Sequence, residues 1–209
     1  IEELSKTLEK RCNIDFYDRT SIPGNSSYSR AVHFLMLVAF KHILGNDADV
    51  KIEHSIDKGV YCTSLNKEID EKIILDLHKI LFSNINEKQA GTAAKETMRN
   101  VDAIKFYKKK NQLDKAEVLK YISNTYVNLY RLDEYYDYFF SELPYSTCDV
   151  DSFKLTYIKE NGFVLSYPNI HNPEKTVPYT HHEMLFEAFK EYTKMGKTFG
   201  ISTAADLNE

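Results

Sequence analysis

Apolar positions along this chain follow two spacings. Ala31, Phe34, Leu35, Val38 and Ile43 sit among other apolar residues, on nearly every side of a helix, which is the pattern of a helix buried over most of its circumference. Ser26 or Ser27 is a good N-cap for it, and Gly45-Asn46 stops it after about Leu44. Asn66 is expected to cap a second helix in which Ile69, Ile73, Leu77 and Ile80 recur every three or four residues. Asn100 to Lys110 and Leu113 to Tyr121 read as two more. Met184, Leu185, Ala188, Phe189 and Tyr192 share one face of a closing helix. Ahead of all these, Ile1 to Arg11 reads as a helix leading into the extended stretch Ile14 to Tyr17, before the polar break Ser21 to Ser27.

The strands pair through turns. Val50 to His54 and Val60 to Ser64 flank Asp57-Lys58-Gly59, and Phe153 to Ile158 and Phe163 to Tyr167 flank Glu160-Asn161-Gly162. Thr125 to Tyr130 and Tyr135 to Phe140 form a further strand-rich tract. Helices interleaved with hairpins point to an α+β fold with a largely antiparallel sheet packed against helices. The break near Gly24 divides a leading arm or linker, residues 1–24, from a main domain, residues 25–209. The chain opens on Ile1 without Met and closes inside what reads as a helix, so both ends are expected to continue into further domains.

Composition narrows the function. With 209 residues and 43% hydrophobic content, the chain can bury a sizeable core, which 15 Tyr and 12 Phe supply in the absence of Trp. Its 27 basic residues against 31 acidic ones leave a net charge of −4, so it lacks the basic excess by which proteins grip nucleic-acid phosphates. The most apolar run, Ala31 to Phe40, is interrupted by His33 and halted by Lys41-His42, too short to span a bilayer. Neither a membrane nor a nucleic-acid partner is expected. Cys12, Cys62 and Cys148 are odd in number and form no CxxC, which fits a reducing, cytoplasmic setting.

Most short motifs carry no chemistry. Gly196-Lys197-Thr198 copies the end of a phosphate-binding loop, but the required leading glycine is replaced by Glu191. Gly91 to Thr97 fails likewise, with Ala94 before Lys95. Adjacent His181-His182 point about a hundred degrees apart on a helix, a poor shape for one metal. Lys108-Lys109-Lys110 reads as a solvated helix end. His33 stands out, because an imidazole inside the most apolar helix must find a partner or go unsatisfied.

Read in order, several segments carry a resemblance. Ser29-Arg30-Ala31-Val32-His33-Phe34-Leu35, then His54 to Cys62, Asp114-Lys115, Val127 to Arg131 and Asp137-Tyr138-Phe139 resemble the editing (second additional) domain of threonyl- and alanyl-tRNA synthetases. Tyr135 to Phe139, Leu143 to Thr147, Asn161 to Leu165 and Ala205 to Glu209 look closer still to the fusion family of uridine kinase-like, or nucleoside kinase, proteins. There a domain of this type precedes a P-loop kinase domain. The resemblance runs from about Tyr28 to the C-terminus.

It implies an accessory, regulatory domain whose parent would phosphorylate a nucleoside with ATP and Mg²⁺, both held by the downstream kinase domain and neither by this fragment. Of the editing domain's two metal-binding motifs, the first falls on Ser29 and His33 and the second on Phe139 and Leu143. Only His33 can ligate, so no metal is expected. Lys115, Asp137 and Tyr61 stand at positions that line the editing cleft. With His33 and His54 they would form a polar cleft for a hydroxyl-bearing or anionic ligand; the other reading of Lys115 and Asp137 is an inherited internal ion pair. The resemblance requires the long helix, the hairpin at Gly59 and the strand at Asp137 to converge. Partners would be the kinase domain, a small molecule or another protomer. The alternative is a surviving editing-type hydrolase or RNA-end binder, with His33 orienting a water or a terminal ribose and Lys115 stabilising negative charge.

Overall fold

The long helix begins one turn before the serine pair. The computed structural model describes residues 2–4, 6–86, 93–144, 146, 149–159 and 161–200, and its first helix, α1, spans Ile22–Leu44. Ser21 is the N-cap, its Oγ accepting from the Gly24 N–H at 3.2 Å. Pro23 is tolerated because first-turn N–H groups have no helical partner to lose. The polar run Ser21 to Ser27 therefore opens the helix, and the expected boundary between residues 24 and 25 falls inside it. Gly45 ends it at φ 98°, a conformation natural only to glycine.

The elements that follow are β1 (Val50–Ile56), β2 (Gly59–Ser64), α2 (Glu71–Asn86), β3 (Ala94–Arg99), α3 (Asn100–Lys109), α4 (Leu113–Lys120), β4 (Tyr126–Leu132), β5 (Tyr135–Tyr138), β6 (Lys154–Ile158), β7 (Gly162–Ser166) and α5 (Glu183–Phe199). Two antiparallel sheets result, one in the order β1-β2-β7-β6 and one in the order β3-β4-β5. The fold is α+β, as the alternation of helical and hairpin patterns implies.

One core joins α1 to both sheets. Phe40 stacks on Phe163 of β7 with ring centroids 6.1 Å apart, while Phe34 reaches Tyr135 at 5.7 Å and Phe139 at 5.5 Å. Val60 and Cys62 of β2 lie in the same cluster. The long helix, the Gly59 hairpin and the strand at Asp137 thus meet in one body. Strand β4 faces two ways: Tyr130 and Leu132 enter the main core, and Val127 and Leu129 enter a second cluster with Ala103, Tyr107, Ala116 and Leu119 of α3 and α4. Its period of two splits the apolar residues between the cores.

Three local expectations change. Residues 2–4 and 6–11 form no helix. Leu4 and Leu8 are exposed, and so short an isolated helix is marginal in water. Helix α2 is capped by Asp70, whose Oδ1 accepts from Ile73 N at 2.8 Å; Asn66 instead bridges Asp49 N and the Asp47 carbonyl. Strand β3 has no counterpart in the apolar pattern because it is an edge strand of alternating half-buried and exposed residues. Cys148, Glu160, Ala205 to Glu209 and the start of Gly91 to Thr97 lie outside the described residues.

The chain divides into two compact units, Ile1–Pro178 and Tyr179–Glu209, the second carrying α5. Among the described residues no helix is long and apolar enough to cross a membrane.

Candidate functional site

The C-terminal half of α1 and the β4–β5 hairpin frame a groove of about 470 Å³, within the range of small-molecule sites. Val38, Lys41, Asp49, Asn66, Phe106, Tyr135 and Tyr136 are among the residues that line it. Lys41 arrives in the last turn of α1, where a basic residue suits the helix dipole. Its Nζ donates to the Asn46 and Ala48 carbonyls at 2.9 and 2.8 Å and rests 5.4 Å from the centre of the Tyr135 ring. Burial lowers its pKa against the pull of Asp49. Two of its three protons are thereby used. The Asp49 carboxylate makes no hydrogen bond or ion pair among the described residues.

Tyr135 is held from behind. Lys115 Nζ donates to its phenol oxygen at 3.1 Å, and the phenol donates to Asp137 Oδ2 at 2.9 Å. Lys115 also pairs with Asp137 Oδ1 at 2.8 Å, and that same oxygen accepts from Tyr138 N at 2.8 Å. Burial, then Asp137, push the Tyr135 phenol well above its ordinary pKa, so it stays protonated and donating. Lys115 further lies 5.7 Å from the Tyr107 ring centre, and among the described residues the buried Tyr107 hydroxyl has no hydrogen-bond partner. Phe106 meets Tyr136 edge-on at 5.3 Å, forming the aromatic wall.

Of the residues singled out in the sequence, Lys115 and Asp137 come together directly. His33 does not join them. It lies one step around α1 from Phe34 and faces Tyr167 edge-on at 5.3 Å, and among the described residues no hydrogen bond, ion pair or ring contact links it to Lys115 or Asp137. His54 and Tyr61 face each other across the β1–β2 pair, rings 5.5 Å apart. The Tyr61 ring lies so close over Gly162 that a Cβ there would stand 2.2 Å from its hydroxyl. The five residues therefore divide into three groups: Lys115 with Asp137, His33 with Tyr167, and His54 with Tyr61.

At the positions of the two metal motifs, Ser29 Oγ donates to the Ser26 carbonyl at 2.9 Å, Phe139 packs on Phe34 and Tyr130, and Leu143 is buried in the main core. These side chains do not fit a metal. Nor does Gly196-Lys197-Thr198 fit a nucleotide phosphate: it lies inside α5, where backbone N–H groups serve the helix. Lys41 and Tyr135 are the groove residues that the sequence did not single out. A lone lysine closing an otherwise apolar helix was the available signal.

His33 gives a pH prediction. Among the described residues its Nε2 is buried without a hydrogen-bond partner, and burial, aided by Arg30, lowers its pKa to about 4. The unfolded chain takes up this proton near pH 6.5 and the folded chain only near pH 4. Stability is therefore unaffected above about pH 6.5, falls as pH drops through that window, and is lower by about 3 kcal/mol once below pH 4. Urea unfolding from pH 7 to 4 checks this: His33→Leu should remove that part of the slope. Equal slopes in both proteins would contradict it.

The chain matches no family model and no curated protein sequence.

Proposed function

We propose that this chain is an accessory, ligand-binding domain of a uridine kinase-like protein, editing-like in fold and regulatory in role. One observation carries the reading. Lys115 and Asp137, two positions at which the resemblance implies a cleft, hold the Tyr135 ring that lies along the groove. The ligand is a small hydroxyl-bearing or anionic molecule. The unused Lys41 proton serves an acceptor on it, Asp49 serves a hydroxyl, and Phe106 and Tyr136 cover a flat apolar part. Phosphoryl transfer would belong to the downstream kinase domain with its ATP and Mg²⁺.

An editing-type hydrolase is the weaker reading. Lys115 is already engaged by Asp137 and Tyr135, so it is not free to meet a developing negative charge, and His33 points elsewhere.

Calorimetric titration with uridine, cytidine, their monophosphates and inorganic phosphate tests the proposal. The expected result is saturable binding of at least one probe, weakened tenfold or more (about 1.4 kcal/mol) by Lys41→Met. Absence of any binding heat at millimolar concentration, or binding indifferent to Lys41→Met, overturns it. Uridine phosphorylation by this chain with ATP and Mg²⁺ would overturn the non-catalytic assignment.

A further inference from the structure

We propose that residues 2–4 are held against β4 by one proton shared between two carboxyl groups, so that this arm docks and releases with pH. The register of the three-stranded sheet builds the site. Lys95 of β3 stands opposite Tyr130 of β4, and Phe139 meets the Tyr130 ring edge-on at 5.9 Å. The phenol oxygen lies 2.5 Å from Oε1 of Glu3 and 2.6 Å from Oε2 of Glu142. Lys95 Nζ pairs with the same two oxygens, at 3.5 and 2.6 Å. A phenol has one hydrogen to give. Donated to one carboxylate, it leaves the other oxygen facing a lone pair at hydrogen-bond distance. That contact is attractive only when the second carboxyl carries a proton of its own.

The surroundings decide which carboxyl holds it. Burial, then Glu142, raise the pKa of Glu3 against the pull of Tyr130 and Lys95. Burial acts the same way on Glu142, but hydrogen bonds with Glu3, Lys95 and Tyr130 outweigh it and hold that carboxyl at about 2. Glu3 therefore carries the shared proton, as one member of a close carboxyl pair must. The other charges in reach are Arg30 of α1, which faces Tyr130 and Glu142, and Glu2, which pairs with Lys6. A released Glu3 titrates at its ordinary 4.5. Docking is thus fully supported near that pH and is lost as pH rises through the raised pKa of docked Glu3. Within that window the docked-to-released ratio falls by up to about tenfold per pH unit. Glu142 stays ionised throughout. Glu3, Arg30 and Glu142 also line a cavity of about 740 Å³ that shares no lining residue with the groove, so release of the arm removes one of its walls.

NMR titration of the chain with carbon-13-labelled glutamate carboxyls, from about pH 4 to 8, spans the range a raised carboxyl reaches and is the test. The Glu3 signal, identified by its loss in Glu3→Gln, should titrate above 4.5. The backbone amides of Glu3 and Leu4, followed by their proton–nitrogen NOE, should pass from rigid to mobile along the same curve. Glu3→Gln and Glu142→Gln each put an amide donor in place of the shared proton, and either should keep the arm rigid to the top of that range. A Glu3 carboxyl that titrates at or below 4.5, amides whose mobility ignores pH, or glutamine variants that still release the arm overturn the inference.

Discussion

Phe40→Ala should destabilise the fold by about 4 kcal/mol, the middle of the range for a fully buried phenylalanine. Phe40 is 1% exposed and stacks on Phe163 at an interplanar angle of 17°. That contact fastens α1 to the four-stranded sheet. Removing the ring forfeits its transfer free energy and leaves a cavity that a helix tied also to the three-stranded sheet cannot collapse to fill. Phe40→Leu keeps most of the volume and should cost about 1 kcal/mol. Phe140, one hundred residues later, is 87% exposed, so Phe140→Ala should stay within about 0.5 kcal/mol of the parent. Urea-unfolding midpoints at constant m-value measure all three. Equal effects for Phe40→Ala and Phe140→Ala would mean that α1 does not pack on β7 in this way.

Asp137→Ala should cost about 3 kcal/mol and also loosen the groove. The carboxylate accepts from Lys115, Tyr135 and the Tyr138 amide at once, and its residue is 7% exposed. Deleting it strands an ammonium and a phenol in a poorly solvated place, which is the costly way to break an ion pair. The Lys115 side chain is 22% exposed, and water reaching it should keep the loss toward the low end of the roughly 3–5 kcal/mol typical of a broken buried pair. Asp137→Asn retains an acceptor for Tyr135 and should lose about half as much. Thermal and urea unfolding give the stability. Tyr135 is held from behind by this network, so probe binding in the groove should weaken in Asp137→Ala even where the protein remains folded. Wild-type stability in Asp137→Ala would show that the pair contributes nothing.

The boundaries that sequence placed poorly share a cause. Residues 2–11 have helical composition, but Leu4 and Leu8 are exposed, and local propensity alone does not sustain so short a helix. Ser21 outcompeted Ser26 and Ser27 as N-cap because Pro23 is acceptable in a first turn. Edge strand β3 is specified by its pairing with β4, from Ala94 opposite Arg131 to Arg99 opposite Tyr126, and leaves no apolar alternation to read.

The sequence by itself determined α1 and most of the later helices and hairpins, because burial on nearly every side of α1 and the positive-φ turns at Asp57, Asp133 and Asn161 are local matters of pattern and chain geometry. Lys115 and Asp137 were indicated by the resemblance to the editing domain alone, since α4 also carries Asp114, Glu117 and Lys120 and no pattern of its own sets Lys115 apart. Only the tertiary structure decided which polar groups share a site. Adjacent residues on a helix diverge by about a hundred degrees, so Phe34 reaches Tyr135 while His33 is turned to Tyr167, and Lys41, two turns further on, lies over the Tyr135 ring. Which strand passes in front of each helical position is fixed by sheet order and register. Those pairings join residues far apart in the chain, and no local pattern records them.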